Sequence, residues 1–327
     1  MPKNIFRFTI FSLFALCACR APVPAQPTGG APREVLTTVA MIADVAQNVA
    51  GGCFAVRPLM GPGTDPHTYR ATARDSRTLG RAGLILYGGY ALEGEFGELL
   101  GRLGERRATV AVSEAAVPRA ETVRTDSRYG VDPHVWMDAA LWSRTADVAA
   151  RALGGLEPGC RAEMAGNARR YRAELAALDR WVRASVATIP AQQRVLVTAH
   201  DAFGYYARAY GLTVVGIQGI STASEAAISD IRRVVEVVAA RRVPAIFVES
   251  SVNARTVAAV QQAAAARGVA VRVGGSLYSD ALGEAGTAAG TYIGMMVHNT
   301  RTVTEALGGS APPLPAGLEA WAERWDG

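Results

Sequence analysis

Two sets of short β-rich runs, each alternating with helical patterns, flank one proline-free stretch at residues 161–189, and this layout limits the possible folds more than any other feature of the chain. Alternating strand and helix periods are the signature of βα units around parallel sheets. Candidate strands fall at 34–39, 54–60, 84–87 and 108–112 in the first set, and at 195–198, 213–217, 245–248 and 269–273 in the second. Helical patterns such as 139–153 and 224–240 fill the gaps. Within 161–189 the apolar residues Tyr171, Leu175, Leu178, Trp181 and Val182 recur at helical spacing, and Pro190 marks the end. One helix of that length runs about 40 Å at 1.5 Å per residue. The expected fold is therefore α/β: two lobes of parallel β-sheet flanked by helices and joined by one long rigid helix. A pair of shorter helices broken near Ala176 is the alternative. With 327 residues, half of them apolar, the chain is long enough for two such cores.

The start of the chain reads differently. Lys3 and Arg7 precede an apolar run from Phe8 to Leu16, the order of a secretory signal, and the run is too short to span a bilayer. Leu16-Cys17-Ala18-Cys19 is similar to a bacterial lipobox, and Ala18 suits cleavage better than Leu16, so Cys19 is the expected lipidated residue. An ordinary cleaved signal peptide is the alternative. Residues 20–33 carry Pro22, Pro24, Pro27, Pro32 and the pair Gly29-Gly30, a spacer composition that cannot pack a core. The expected organisation is a signal peptide at 1–18, a lipidated linker at 19–33, an N-terminal lobe at 34–160, a connecting helix at 161–190 and a C-terminal lobe at 191–327. The product is then exported and anchored to a membrane by lipid, in the periplasm or at the cell surface.

Composition narrows the chemistry. Losing Lys3 and Arg7 with the signal, and no acid, takes the net charge from +5 to +3, too weak and too evenly spread for nucleic acid. Lys3 is the only lysine, so the mature chain has no residue for a P-loop, a Schiff base or a Ser-Lys dyad. With Cys17 and Cys19 at the terminus, Cys53 and Cys160 remain as an even pair at one end of the first lobe. An oxidising compartment favours a disulfide between them over two buried thiols. No C-x-x-C redox motif occurs.

The chemistry-bearing residues are few. There are four histidines, His67, His134, His200 and His298, and the tripeptide Asp-Pro-His supplies two of them, at 65–67 and 132–134. Proline restricts the backbone on both sides, so each of these two histidines sits on a stiff turn. His200 ends the apolar run at 195–198, Glu249 ends that at 245–248, and Asp280 lies in the loop beyond 269–273. In open α/β sheets ligands bind outside the carboxyl ends of the strands, so both lobes aim these groups at one cleft. Three imidazoles with a carboxylate suit a first-row metal, zinc above all and manganese as well. His298 falls in a helical pattern and reads as structural.

The stretches GPGTDPHTYRAT, VDPHVWMD, VTAHDAFGYYARAYGL, GIQGISTASEA, PAIFVESS and GGSLYSDALG, in that order between about Val35 and Leu307, resemble the TroA-like zinc and manganese solute-binding proteins of ABC importers. The resemblance implies direct coordination of one Zn2+ or Mn2+ per chain by His67, His134, His200 and Asp280. Glu249 is then expected to hold a histidine from behind, as metal-bound imidazoles require. Asp201 beside His200, and Trp136 and Asp138 flanking His134, serve this role, packing or capping equally well. Some manganese-selective relatives carry a glutamate where this chain has His200, which favours zinc or a dual site; the His-rich loop of many zinc-specific relatives is absent. The implied partners are an ABC permease and its ATPase, with the chain itself a monomer and not an enzyme. A zinc hydrolase would need an open coordination position and a base such as Glu249, and neither H-E-x-x-H nor G-x-S-x-G occurs. An adhesin-like role has no sequence feature behind it.

Overall fold

The computed structural model of the chain describes residues 34–126 and 130–325; the signal-like segment, Cys17, Cys19 and the spacer to residue 33 lie outside the described residues. The N-terminal lobe runs β1 (Glu34–Thr37), α1 (Ala40–Ala50), β2 (Ala55–Pro58), α2 (Ala73–Leu79), β3 (Leu84–Tyr87), α3 (Gly94–Leu103), β4 (Thr109–Ala111) and α4 (Val112–Ala116). Its strands are all parallel, in the order β2-β1-β3-β4. Because the chain passes from β1 to β2 on one side and then to β3 on the other, a crevice opens beyond the carboxyl ends of β1 and β3.

Two short helices follow, α5 (Ala139–Trp142) and α6 (Thr145–Leu156), where the sequence pattern predicts one. The Ser143 hydroxyl donates to the Ala140 carbonyl at 2.8 Å and the Thr145 hydroxyl to that of Trp142 at 2.6 Å. Hydroxyls that engage carbonyls of the preceding turn compete with the helical ladder, and the backbone here tightens to i to i+3 bonds. The connector α7 (Arg161–Ala187) is one unbroken helix of 27 residues, and Met164, Ala168, Tyr171, Leu175, Leu178, Trp181, Val182 and Val186 form its buried stripe.

The C-terminal lobe comprises β5 (Val195–His200), α8 (Gly204–Tyr210), β6 (Thr213–Gln218), α9 (Ile228–Arg241), β7 (Ala245–Glu249), α10 (Arg255–Ala265), β8 (Arg272–Leu277), α11 (Tyr292–Ala306) and α12 (Glu319–Trp325). β5 pairs with β6 and β7 with β8, both parallel, and β5 lies beside β7. Two elements of this lobe depart from the sequence expectation by more than two residues. α9 starts at Ile228 rather than 224, because the Asp230 carboxylate accepts the Ala227 N–H at 3.0 Å and sets the first turn there. β8 occupies 272–277 instead of 269–273. Its register against β7 shifts at Gly274, where a Cβ would stand 2.7 Å from the Phe247 ring, and Gly275 takes φ 147, a conformation open to glycine. Adjacent glycines read as a break, whereas here they make a bulge. Asp280 consequently follows its strand by only three residues.

One core runs from Val35, Leu86 and Trp142 through the α7 stripe to Phe203, Phe247 and Tyr292, so it crosses from lobe to lobe. A second, smaller core (Val197, Ile217, Val235, Ile246, Val260) lies under α9 and α10. No helix among the described residues is long and apolar enough to cross a membrane.

Cys53 and Cys160 are joined in a disulfide that ties the α1–β2 connection to the start of α7 across 107 residues of chain. Closing so long a loop removes much unfolded-state entropy, and losing such a bridge costs about 2–5 kcal/mol. Reduction by a dithiol is therefore expected to lower the thermal midpoint by roughly 10 °C, by the usual conversion for chains of this size. Calorimetry with and without reductant checks this, and an unmoved midpoint would contradict it.

Candidate metal centre

Each candidate ligand sits where the local sequence forces the chain to stop being regular. The two Asp-Pro-His tripeptides form the same turn: the Asp65 carboxylate accepts the His67 N–H at 2.9 Å, and that of Asp132 accepts the His134 N–H at 2.9 Å. An Asx turn of this kind needs the acid two residues ahead, and the intervening proline fixes its angle. His200 is the last residue of β5 and Glu249 the last of β7, so neighbouring strands deliver both at one height. Asp280 reaches the same point from the loop after β8.

The four side chains converge. His67, His134, His200 and Asp280 offer nitrogen and oxygen atoms that all lie within 4.8 Å of one another, and all four residues are buried. The Nε2 atoms of His67 and His134 are 3.2 Å apart. Asp280 places Oδ1 3.3 Å from His134 Nε2, and Oδ2 3.2 Å from His200 Nε2 and 4.0 Å from His67 Nε2. Ligands about 2.0–2.2 Å from a tetrahedral zinc ion stand roughly 3.3–3.6 Å from one another; three of these spacings lie close to that edge length and the fourth, from His67 to Asp280, is longer at 4.0 Å. Among the described residues neither His200 Nε2 nor Asp280 Oδ1 makes a well-aligned hydrogen bond, although both are buried and face only the other candidate ligands. Orphaned polar atoms at this depth each cost about 1–3 kcal/mol unless something else binds them. The residues thus fit a borderline-soft divalent cation.

The far sides of two rings are held by carboxylates. Glu249 accepts the His200 Nδ1–H at 2.5 Å and the His200 backbone N–H at 2.8 Å. Asp132 accepts the His134 Nδ1–H at 2.7 Å, a role the sequence does not reveal. Asp65, at the same spacing before His67, accepts that residue's backbone N–H and no ring N–H among the described residues, so spacing alone gives no signal for it. Gly204 makes room for Asp132, since a Cβ there would stand 2.6 Å from Asp132 Oδ2. Asp201 accepts no hydrogen bond from a histidine among the described residues. Asp138 caps α5 through the Leu141 N–H at 3.0 Å, and Trp136 donates from Nε1 to the Ser279 carbonyl at 2.9 Å. His298 stands on the exposed side of α11, 2.9 Å from the Ser276 carbonyl, and is not one of the clustered four.

These contacts set the protonation of the site. Burial, helped by the neighbouring His134 and His200 rings and opposed by Asp280, pulls the His67 ring down to about 3, so it is neutral and presents a lone pair. Burial also pulls on His134, but the carboxylates of Asp132 and Asp280 outweigh it and push the ring up to about 9. His200 is raised well above its ordinary value, because Glu249 and Asp280 overcome the effect of burial. For Asp280 burial acts upward, and the three histidines together hold it well below the carboxylate range.

Comparison with known proteins places this geometry in a family context. The family described as "Zinc-uptake complex component A periplasmic" matches residues 35–306. The chain is 47% identical over 273 residues, 84% of its length and 88% of the relative's, to the zinc-binding protein TroA of Treponema pallidum. It is 39% identical over 307 residues to the manganese-binding lipoprotein MntA of Bacillus subtilis, covering 94% of this chain and all of that one. The solved structure of the periplasmic zinc-binding TroA of T. pallidum superposes with a TM-score of 0.82 at 46% identity, over 85% of this chain and 99% of that one.

Proposed function

The chain belongs to the family of periplasmic zinc-uptake components, and on that premise we propose that it captures one divalent transition-metal ion, zinc or manganese, outside the cytoplasm and delivers it to an ABC-type importer. The carrying observation is the buried His67, His134, His200 and Asp280 cluster with metal-ligand spacing. In this reading those four residues are the ligands, and Glu249 and Asp132 hold His200 and His134 in the tautomer that presents Nε2. Four protein ligands close the coordination sphere and leave no position for a reactive water, the pattern of a holder of metal rather than of a hydrolase. The ion is cargo, to be surrendered whole. The printed names of the relatives, one zinc-binding and one manganese-binding, support the same pair of ions. A nitrogen-rich site favours zinc where both are present.

Export on a signal peptide and lipidation at Cys19 belong to the same proposal, as do a permease and its ATPase as partners, the division into two lobes around 161–190, and a monomeric state. The name of the MntA relative, a lipoprotein, supports the anchor. The test is elemental analysis of the purified protein followed by competition between zinc and manganese. One equivalent of metal, with zinc displacing manganese, is the expected result. Protein that takes up neither ion would overturn the proposal.

A further inference from the structure

The two Asp-Pro-His turns are alike locally but are held to the C-terminal lobe in opposite ways. The segment carrying His134 is pinned by buried hydrogen bonds. Tyr205 donates to the Asp132 carbonyl at 2.9 Å, Trp136 Nε1 to that of Ser279 at 2.9 Å, Tyr292 to that of Trp136 at 2.6 Å, and the Ala139 N–H to the Tyr210 hydroxyl at 3.2 Å. Opening the lobes along this side would strand several buried polar groups at once, each a costly loss. The segment carrying His67 has far less. Among the described residues its one hydrogen bond to the C-terminal lobe is from the Thr222 hydroxyl to Asp65 Oδ2, an oxygen that also accepts the Thr68 hydroxyl at 3.2 Å. Thr222 sits in the connection between β6 and α9, where its neighbours Ala223, Ser224 and Glu225 are exposed. Of the four candidate ligands His67 is also the one nearest to solvent, 8% exposed against 0–1% for the other three.

We propose that the Asp65–Thr222 hydrogen bond is a latch across the cleft, and that the ion enters and leaves on the His67 side when this latch opens. His134, His200 and Asp280 then form a fixed three-ligand base, and His67 is the fourth ligand, brought in and withdrawn with the turn that Asp65 organises. Because Asp65 also holds the His67 N–H, breaking its bond to Thr222 frees the turn as a unit and leaves the base undisturbed. Thr222 acts here as a positioning residue, in contact with no candidate ligand. The inference rests on the reading of the site as a metal carrier.

The test is the rate at which zinc-loaded protein releases its ion to an excess of chromophoric chelator, measured for the wild type, Thr222→Val and Thr222→Ser. Valine keeps the shape and removes the donor, whereas serine keeps the donor. A hydrogen bond to a carboxylate is strong enough that Thr222→Val is expected to release zinc about tenfold faster. Thr222→Ser is expected to stay within about twofold of wild type. Equal rates for wild type and Thr222→Val, or an equal acceleration in both variants, would overturn the latch while leaving metal capture standing. Wild-type protein that binds no zinc would instead remove the carrier reading and the latch with it.

Discussion

Replacing His200 by alanine is expected to weaken zinc binding by at least about a hundredfold. Binding free energies of about 10–16 kcal/mol for a closed four-ligand zinc site come to roughly 3 kcal/mol or more per ligand, which is two or more powers of ten in the dissociation constant. The loss should be no smaller here, because no free donor stands behind His200 to take its place. Glu249, the nearest acid, accepts from the far side of the ring, and Asp280 already faces the ion position through both oxygens. The substitution also removes the imidazole that lies between two buried carboxylates, so the metal-free variant should lose stability as well. His298→Ala is the internal control, since that exposed ring meets the Ser276 carbonyl and the Tyr278 ring and none of the candidate ligands. Competition titration against a chelator of known affinity separates the outcomes. Wild-type affinity in His200→Ala would remove this residue from the ligand set.

How much of this could be read from the chain depends on the range of the interaction concerned. The βα alternation and the α7 helix are local patterns with strong periods, and the run Leu84–Tyr87 between glycines reads directly as a strand. The β8 boundary was hidden because Gly274 and Gly275 look like a break unless Phe247 is known to approach them. The split between α5 and α6 was hidden for a related reason: Ser143 and Thr145 are acceptable in a helix, and only their bonds back to the carbonyls of Ala140 and Trp142 interrupt it. At the site, the three histidines stand out by rarity, repetition and position at strand ends and turns, whereas Asp280 is singled out over Glu249 as a ligand by the family resemblance alone. Asp132 as a ring acceptor does not stand out, because an acid in a turn has a sufficient local role already. Thr222 falls within the stretch GIQGISTASEA, but its role is hidden, since its partner lies 157 residues away and one hydroxyl among many carries no pattern.

Acidification is expected to strip the ion from this site over an unusually wide pH range. Without metal, the Nε2 protons of His134 and His200 sit where the ion would bind, and the neutral His67 accepts the first of them across 3.2 Å. Metal must displace those protons, while the Nδ1 protons stay on the rings, donated to Asp132 and Glu249. The sign follows from the carboxylates: they raise the affinity of the rings for protons, so protons compete more strongly than they would at a free histidine. With His134 held at about 9, the dissociation constant should rise by about tenfold for each unit of pH lost below that value. His200, raised further, steepens the slope toward a hundredfold per unit. Exchanging two imidazolium protons for one dication leaves the total charge of the buried site unchanged, which lets the protein hold either state without burying an uncompensated charge. Zinc affinity at pH 6, 7 and 8, together with calorimetric proton release in buffers of different ionisation enthalpy, gives both numbers. A flat profile with no proton release would mean that the histidines are already neutral, and that the carboxylates orient the rings without charging them.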